Sequence, residues 1–413
     1  MAEAYIIDAC RTPRGTGKVG KGALAHLHPQ HLAATVLGAL AERNELDTAD
    51  VDDIIWGTNF QQGAQGADLG RMAALDAGYD VRASGVTLDR FCGSGITSVS
   101  LAAAQILSGM EDLVIAGGTE MMSFTAANIG ASSPPMLDSG NLRLRAKHPQ
   151  SQQGVCADAI ATLEGIDREA VDSLALVSQQ RAGRAIEENR FEKSLVPVLN
   201  EDGSVALDHE QFPRPQTTME RLSSLPAVFG MVAAMEVDES GMTFGDMIRQ
   251  KYPDLGEIDH VHHAGNSSGV VDGASAVLLA SEAYVEKSGL RPRARVVATA
   301  NMGDCPTLML NAPVPAARKV LDKAGLGVDD IDLWEINEAF SVVTERCIRQ
   351  LGLDRDKVNV NGGAMALGHP IGATGSILIG TVLDELERTD QKRGLVTMCA
   401  AGGMAPAIVI ERV

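Results

Sequence analysis

The sequence predicts an α/β fold in which helices cover both faces of a mostly parallel sheet. Short β-branched runs alternate with alanine-rich stretches of helical length, which is the order expected of βαβ units. The pattern occurs near the start of the chain and again near its end, so two similar α/β halves are expected. Between them lies a part of different composition, which indicates an insertion.

The first half is predicted to contain three strands and two helices. The strands are residues 4–9, 51–57 and 113–116, and the helices are residues 29–42 and 92–108. Pro29 suits the first turn of a helix. The second helix is entered directly from residues 86–88, and the third strand ends at Gly117 and Gly118.

The second half repeats this order. The predicted strands are residues 295–299, 331–335, 395–399 and 407–410, and the predicted helices are residues 314–324, 340–351 and 374–386. The middle part, about residues 121–269, carries the Ser-Ser-Pro-Pro run at 132–135, clusters of basic residues and a helical segment at 168–189. This composition predicts an inserted segment rather than another layer of the sheet.

Composition excludes several classes of protein. The 413 residues are 45% hydrophobic and 22% charged, enough to bury a large core. A formal charge of −19 argues against nucleic acid and anionic membrane surfaces as partners. The six cysteines lack CxxC spacing, so reduced thiols are expected rather than a zinc cluster or disulfides. No export signal or membrane span is visible, which predicts a soluble cytoplasmic protein.

Three short patterns indicate other functions, but each is weak evidence. Residues 15–22 nearly form a nucleotide-binding P-loop, but Gly22 stands where Ser or Thr should hold magnesium. Residues 265–269 match GxSxG with Ser267 at its centre, which would make the chain a serine hydrolase, although no helix follows at once. His260, His262 and His263 invite a metal site, but a strand with exposed histidines is the simpler reading.

The strongest candidates for chemistry are two cysteines and a histidine in glycine-rich settings. Cys92 precedes Gly93 and Gly95 at a predicted helix start, where free N–H groups and the helix dipole favour a thiolate. His369 lies between Gly368 and Pro370 in a loop, and Cys399 ends an apolar strand. A thiolate is a good acyl acceptor, so acyl transfer is the favoured chemistry.

Six motifs resemble those of thiolases, in order and over essentially the whole chain. They are Cys92-Gly-Ser-Gly, Gly-Gly-Thr-Glu-Met-Met-Ser at 117–123, Asn-Ser-Ser-Gly at 266–269 with Asp-Gly-Ala at 272–274, Asn-Glu-Ala-Phe at 337–340, Gly-His-Pro at 368–370, and Cys399. The resemblance implies an acyl-CoA C-acyltransferase with a layered αβαβα core built from two repeated halves, each with a mixed five-stranded sheet. Residues 1–120 with 271–292 would form one half, 293–413 the other, and 121–270 an inserted loop domain that binds CoA.

The resemblance also implies roles for individual residues. Cys92 would carry the acyl group, His369 would take its proton, and Cys399 would move the α-proton of acetyl-CoA. One oxyanion hole would use His369 with a water held by Asn337, and the other the N–H groups of Cys92 and Ala401. Thiolases need no metal and no prosthetic group, use CoA and acyl-CoA as substrates, and form homodimers or homotetramers.

The resemblance to thiolases is less complete for the residues that would bind CoA and the acyl group. Ser268 matches the position that touches the pantetheine arm, and Arg221 is the best candidate for the CoA phosphates. Gln153 stands where thiolases usually have the methionine of the acyl pocket, and residues 231–258 are an apparent insertion just before the pantetheine loop.

The same residues would serve thiolysis of a 3-oxoacyl-CoA and the reverse Claisen condensation, because both pass through one enolate and one acyl-enzyme. Two alternatives accompany the serine hydrolase. A ketoacyl synthase is disfavoured because its site resembles Cys-His-His or Cys-His-Asn. A non-catalytic acyl-CoA binder is disfavoured because Cys92, Cys399, His369 and Asn337 are all present.

Overall fold

A computed structural model describes residues 3–128 and 137–413, so the Ser-Ser-Pro-Pro run at 132–135 lies outside the described residues. The strands are β1 Ala4–Arg11, β2 Gly15–Thr16, β3 Asp53–Gly57, β4 Val86–Leu88, β5 Leu113–Met121, β6 Val198–Leu199, β7 Val205–Leu207, β8 Val271–Ser281, β9 Ala294–Gly303, β10 Leu333–Ile336, β11 Arg393–Thr397 and β12 Met404–Arg412. The α-helices are α1 Pro29–Arg43, α2 Leu69–Asp76, α3 Ser94–Ser108, α4 Met122–Asn128, α5 Leu142–Lys147, α6 Gln153–Glu164, α7 Arg168–Glu187, α8 Met219–Ser223, α9 Phe229–Ala233, α10 Phe244–Lys251, α11 Glu282–Ser288, α12 Pro313–Ala324, α13 Ser341–Leu351, α14 Ala364–Leu367 and α15 Thr374–Arg388.

The strands form a mixed sheet, not the mostly parallel one that the residue pattern predicted. Its order is β10-β11-β12-β9-β1-β8-β5-β3-β4, with β2 on β8. Only β3–β4, β3–β5 and β10–β11 pair in parallel. The error arises at β8, an apolar strand that follows the long middle part and runs antiparallel to both β5 and β1. Local βαβ order cannot show the direction of such a returning strand.

Two halves repeat one strand order, as expected. In the first, β4, β3, β5, β8 and β1 lie side by side. In the second, β10, β11, β12 and β9 take the places of β3, β5, β8 and β1, with the same parallel and antiparallel pairs. The place equivalent to β4 holds only an isolated parallel bridge between Val358 and Trp334. The halves join where Tyr5 and Ile6 of β1 pair with β9.

The core is layered in the order helix, sheet, helix, sheet, helix. In the middle, α3 and α15 pack between the strands of the first half and those of the second, around residues such as Ile96, Val277 and Ile408. The neighbour of Val277 along β8, Leu278, faces the other way and packs against α1 and α2, because successive strand residues point to opposite faces. On the far side, α12 and α13 cover the second half. The expected α/β class and layering are confirmed.

The middle of the chain is mainly helical within the described residues, with β6 and β7 as a separate pair. The segment Phe91–Ser108, which includes α3, is long and apolar enough to cross a membrane, but 67% of it is buried inside the protein. Its apolar side chains form part of the central layer, so burial in the core accounts for its composition.

Candidate active site

Cys92 lies in a tight turn that leads into α3. Gly93 is the N-cap residue, so the helix begins two residues later than predicted. Phe91, just before the thiol, has a left-handed φ of 49°. The Phe91 N–H donates to Asp89 Oδ1 over 2.6 Å, and Ser94 Oγ donates to the Phe91 carbonyl over 2.7 Å. A non-glycine residue held at positive φ is a strain that clusters at functional sites.

The Cys92 thiol is buried, and burial raises its pKa to about 12 against a smaller lowering by hydrogen bonds from its own backbone and the Gln153 side chain. The free thiol is therefore protonated at neutral pH. A base must remove its proton as it attacks, because the thiolate is the nucleophile.

The structure brings His369 to the same region through the start of α15. A Cβ added to Gly95 in α3 would lie 2.7 Å from the backbone nitrogen of Ser376 in α15. A Cβ on Gly375 would lie 2.1 Å from the backbone nitrogen of Ile96. The two helices therefore touch backbone to backbone where they begin, and the turns that precede them carry Cys92 and His369.

His369 is held as a neutral base. Burial lowers its pKa to about 4. Its Nδ1 lies 2.6 Å from Thr374 Oγ1, and that hydroxyl donates to the Pro370 carbonyl over 3.0 Å. Because the hydroxyl proton is used, Thr374 accepts from Nδ1–H. The lone pair of the ring therefore lies on Nε2, which faces Asn337 Nδ2 at 3.4 Å.

Asn337 sits at the end of β10 on a loop that is fixed from behind. Its N–H donates to the Thr397 carbonyl over 3.2 Å. The neighbouring carboxylate of Glu338 accepts from Ser178 Oγ, Asn359 Nδ2 and the Met365 N–H. Asn337 Oδ1 is buried with no hydrogen-bond partner among the described residues, which leaves it free to hold a water or a ligand atom.

Cys399 follows β11, and its turn closes on β12. The Ala400 N–H donates to the Met404 carbonyl over 2.7 Å, and the Met404 N–H returns the bond over 3.1 Å. Burial raises the pKa of Cys399 well above its ordinary value, and the nearby Cys92 raises it further. The N–H groups of Cys92 and Ala401 donate to no other residue within 3–128 and 137–413.

The loop that carries Ser268 docks directly onto these groups. Its N–H donates to the Ala339 carbonyl over 3.0 Å, and the Gly269 carbonyl accepts from the His369 N–H over 2.9 Å. The Asn266 carbonyl accepts from the Ser341 N–H over 3.0 Å. The predicted pantetheine loop, the Asn337 loop and the His369 loop therefore form one hydrogen-bonded unit.

Arg221 is exposed on the short helix α8. Its neighbour Leu222 is buried, and a Cβ on Gly265 would lie 2.8 Å from Leu222 Cδ2. Arg168 fixes the same helix by donating to the Leu222 and Leu225 carbonyls. Arg221 thus stands beside the Ser268 loop rather than against the cysteines.

The prediction of exposed histidines on a strand is wrong. His262 and His263 are buried, and residues 260–263 form no strand. Asp158 of α6 accepts from Nδ1 of both His260 and His262 over 2.7 Å, and Asp172 of α7 accepts from His263 Nε2 over 2.8 Å. These carboxylates lie far away in the sequence, so the local histidine pattern could not reveal them.

The two other short patterns serve the fold. The Ser267 hydroxyl donates to the His263 carbonyl over 2.9 Å, and the strand β8 follows rather than the helix of a nucleophile elbow. In the P-loop-like segment, the Gly17 and Gly22 N–H groups donate to the carbonyls of Val270 and Lys18, so they form no phosphate cradle. In the described ranges, no three His, Cys, Asp or Glu side chains group as metal ligands.

Two features of the site were missed from the sequence. Thr374 sets the tautomer of His369 from the first turn of α15, a signal present in the spacing of a histidine and a helix-start threonine. A cavity of about 400 Å³ lies behind the Asn337 loop, between α7 and α13. It is lined by Glu338, Ser178 and Asn359 but by neither cysteine, so it is distinct from the site of the thiols.

The turn before α3 carries a buried cysteine, and the loop before the equivalent helix α15 carries a neutral histidine. A thiol with a base of this kind suits the covalent transfer of an acyl group. Residues 4–241 match the thiolase N-terminal domain and residues 290–412 match the thiolase C-terminal domain, so the chain belongs to the thiolase family. It is therefore an acyl-CoA acyltransferase. Membership also sets aside the ketoacyl synthase and serine hydrolase readings.

Curated relatives match over the whole chain. The steroid 3-ketoacyl-CoA thiolase FadA6 of Mycobacterium tuberculosis is 39% identical over 422 residues, which cover 100% of this chain and 95% of the relative. The beta-ketoadipyl-CoA thiolase of Pseudomonas aeruginosa is 39% identical, covering 100% and 99%. The 3-oxoadipyl-CoA/3-oxo-5,6-dehydrosuberyl-CoA thiolase of Escherichia coli is 39% identical, covering 100% of both chains.

Proposed function

We propose that the protein cleaves 3-oxoacyl-CoA with CoA, and runs the reverse condensation, by ping-pong transfer through an acyl group on Cys92. The observation that carries this proposal is the neutral His369, whose Nε2 faces Asn337 in the loop before α15, while the contact between the starts of α3 and α15 brings the Cys92 turn to the same region. A buried thiol with a raised pKa and a buried imidazole with a lowered pKa form a neutral acid–base pair.

In the first half-reaction, His369 Nε2 accepts the Cys92 proton as the sulfur attacks the 3-oxo carbon of the substrate. The bond between the α-carbon and the 3-oxo carbon breaks, the acyl group stays on Cys92, and acetyl-CoA leaves once its α-carbon takes a proton from Cys399. In the second, CoA attacks the thioester and releases Cys92. In condensation the same steps run in reverse.

Two sets of donors suit the negative charge that develops on oxygen. The unused N–H groups of Cys92 and Ala401 would bind the oxyanion of the tetrahedral intermediate. The Asn337 side chain, whose Oδ1 is buried without a partner in the described chain, would hold a water against the enolate oxygen, with His369 as the second donor once it carries the proton. Fixed donors in a buried site need no reorganisation as charge develops.

For CoA, we assign Ser268 to the pantetheine arm and Arg221 to the phosphates. Ser268 lies in the loop that docks on Ala339 and His369. Arg221 is exposed on the helix beside that loop, where its charge opposes the overall negative charge of the chain. The reaction uses CoA as a substrate and needs no prosthetic group or metal.

The acyl group is proposed to be larger than acetyl. The relatives are named for steroid 3-ketoacyl-CoA and for 3-oxoadipyl-CoA or beta-ketoadipyl-CoA, which are all 3-oxoacyl thioesters with bulky or functionalised acyl parts. This supports a degradative 3-oxoacyl-CoA thiolase, acting in the cytoplasm, rather than an enzyme restricted to acetoacetyl-CoA.

We also propose a homodimer, or a tetramer of such dimers, that pairs through the edge strand β4. This strand ends the sheet and leads directly into the Cys92 turn. Val86 of this strand is 44% exposed. An unpaired strand edge with an exposed apolar side chain favours association.

The proposal is tested by peptide mass spectrometry after brief incubation with acetyl-CoA or acetoacetyl-CoA, while release of CoA or acetyl-CoA is followed. We expect an acetyl group on Cys92 and none in a Cys92→Ala variant. No adduct on wild-type Cys92 under either condition would overturn the proposal in favour of a non-catalytic acyl-CoA binder.

A further inference from the structure

Apart from the catalytic candidates His369 and Asn337, much of the wall around the two cysteines is apolar. A single cluster of buried side chains contains Cys399, Ala401 and Phe340 together with Phe244 and Met247 of the inserted segment 231–258. Phe229, at the start of α9, packs edge-on against the Phe340 ring at 5.7 Å between centroids. The inserted segment therefore contributes to the apolar wall of the site. Two further polar side chains, Gln150 and Gln153, lie near this wall.

Gln150 is buried to 8% exposure. Its carboxamide has no hydrogen-bond partner within the described ranges, although glutamine offers two donors and an acceptor. It lies against the turn that follows Cys399, because a Cβ added to Gly402 would be 4.0 Å from Gln150 Oε1. A largely buried carboxamide that bonds to no other described group can bond to a ligand instead.

Gln153 approaches from the other side. It is the first residue of α6, whose N-cap is the preceding Gln152. The adjacent Gly154 is pressed against Phe229, because a Cβ there would lie 2.1 Å from Phe229 Cε1. The Gln153 side chain lies near the Cys92 thiol and acts to lower the pKa of that thiol. When Cys92 carries an acyl group, the sulfur is no longer a thiol, and this carboxamide is left facing the acyl chain.

The backbone between the two glutamines is rigidly placed. Ser151 Oγ donates to the Phe244 carbonyl of α10 over 2.8 Å. Gln152 Oε1 accepts from the Gly154 N–H over 2.7 Å. Residues 150–153 are thus tied to the inserted segment on one side and to α6 on the other, so the backbone that carries the two carboxamides is fixed before substrate binds.

We propose that Gln150 and Gln153 select acyl groups that carry a further oxygen function beyond the 3-oxo group, over acyl groups of the same length that end in a hydrocarbon; this inference rests on the proposed function. A carboxamide N–H can donate a hydrogen bond to a carboxylate or to an ester carbonyl. A hydrocarbon chain that ends in a methyl group offers no acceptor for that bond. A site built to hydrogen bond discriminates strongly against an analogue without the polar group, because its own buried groups are then left unpaired.

The test compares thiolysis of 3-oxoadipyl-CoA, its terminal methyl ester and 3-oxohexanoyl-CoA, which share one acyl backbone. We expect kcat/KM for at least one oxygen-bearing substrate to exceed that for 3-oxohexanoyl-CoA by about tenfold or more. A preference for the acid alone identifies a carboxylate ligand, and a preference shared with the ester identifies a neutral oxygen. Equal kcat/KM values for all three substrates would overturn the inference.

Gln150→Met and Gln153→Met each remove one carboxamide with little change in volume. In each variant we expect the ratio of kcat/KM for the preferred oxygen-bearing substrate to that for 3-oxohexanoyl-CoA to fall about tenfold. Gln30→Met removes a carboxamide from α1 on the outer face of the first half. This control variant should keep the wild-type substrate preference. A preference unchanged in both site variants, or an equal loss on all three substrates, would contradict a selective role.

Acetoacetyl-CoA separates this inference from the proposed function. If the wild-type enzyme cleaves neither acetoacetyl-CoA nor the longer substrates, the proposed function itself fails. If acetoacetyl-CoA is cleaved and the oxygen preference is absent, only the assignment of Gln150 and Gln153 fails. Melting temperatures of the variants identify any loss that comes from unfolding.

Discussion

Gly95 of α3 and Gly375 of α15 lie in contact at the starts of the two central helices. A side chain on either residue would overlap the backbone of the other helix. These helices occupy equivalent places in the repeated halves, so the contact brings together the turn that carries Cys92 and the loop that carries His369. The geometry of the site therefore depends on how closely the two halves approach.

The first prediction concerns that contact. Gly375→Ala should lower the free energy of unfolding by about 1–3 kcal/mol and reduce acylation of Cys92, because the added methyl would lie 2.1 Å from the Ile96 nitrogen. Gly380→Ala on the same helix is the control, since its methyl would meet only the Ala9 side chain at 3.2 Å. Thermal melts and adduct formation measure both effects; equal behaviour of the two variants would contradict the role given to the contact.

The second prediction separates the two thiols. Cys399→Ala should still form the acetyl adduct on Cys92 from acetyl-CoA, while thiolysis and condensation fall by about 10²–10⁴, the usual contribution of a positioned proton donor. Cys92→Ala should lose both. Mass spectrometry and turnover of acetoacetyl-CoA test this. Normal turnover in Cys399→Ala would remove Cys399 from the proton transfer.

The third prediction concerns the tautomer of His369. Thr374→Val keeps the shape of the side chain but removes the acceptor for Nδ1–H, so a buried donor is left unpaired and Nε2 is no longer fixed as the base. The rate of Cys92 acylation should fall by about 10–100-fold, from the usual cost of an unpaired buried donor. Thr374→Ser should restore most of it. A Thr374→Val enzyme with the wild-type rate would show that the hydroxyl does not orient the ring.

The fourth prediction is a pH dependence. Because burial lowers the pKa of His369 to about 4, the imidazole is already neutral well below its ordinary value. The rate of acylation should therefore show no inflection near pH 6.5 and should decline only as pH falls toward about 4. Stopped-flow release of CoA after a pH jump, completed before unfolding, measures this. An inflection near pH 6.5 that disappears in His369→Ala would contradict a buried neutral base.

The fifth prediction concerns stability. Glu210 lies 2.6 Å from Arg11 and 2.7 Å from Arg14, and the three side chains are almost fully buried. Burial acts to raise the pKa of Glu210, but the two arginines outweigh it and hold that pKa at about 2. The ionised Glu210 carboxylate therefore stabilises the fold at pH values above 4.5. This stabilisation is lost as the pH falls from 4.5 to about 2 and the carboxylate becomes protonated.

Glu210→Gln should therefore lower the free energy of unfolding by about 3–5 kcal/mol near neutral pH, because it leaves two buried arginines without a counter-charge. The exposed Glu201→Gln is its matched control. Urea unfolding at neutral and at acidic pH measures the difference, which should shrink toward low pH. A difference that is constant with pH would show that the carboxylate charge is not the source.

The sequence predicted the element types near the site well, because those elements are locally encoded. The helix start at Gly93, the loop around His369 and the strand before Cys399 lie within a few residues of their predicted positions. The strand β5 was cut short at its glycines, yet it runs on to Met121. Gly117 and Gly118 are strand residues. They are glycines because Trp56 and the Gly372 carbonyl leave no room for a side chain at these positions.

What the sequence did not show depends on contacts between distant segments. The direction of β8 is set by β1 and β5, and the burial of His262 by a carboxylate on α6. The partner of Nδ1 on His369 and the environment of Gln150 likewise follow from packing. The domain limits near residues 120, 270 and 292 stay a prediction, as do the roles of the site residues.

The strand β12 lies between β11 and β9, and its first residue closes the turn that holds Cys399. During synthesis, Cys92 leaves the ribosome hundreds of residues before this strand exists. A chain that ends before Met404 therefore contains Cys92 but lacks the residue whose backbone closes the turn of Cys399.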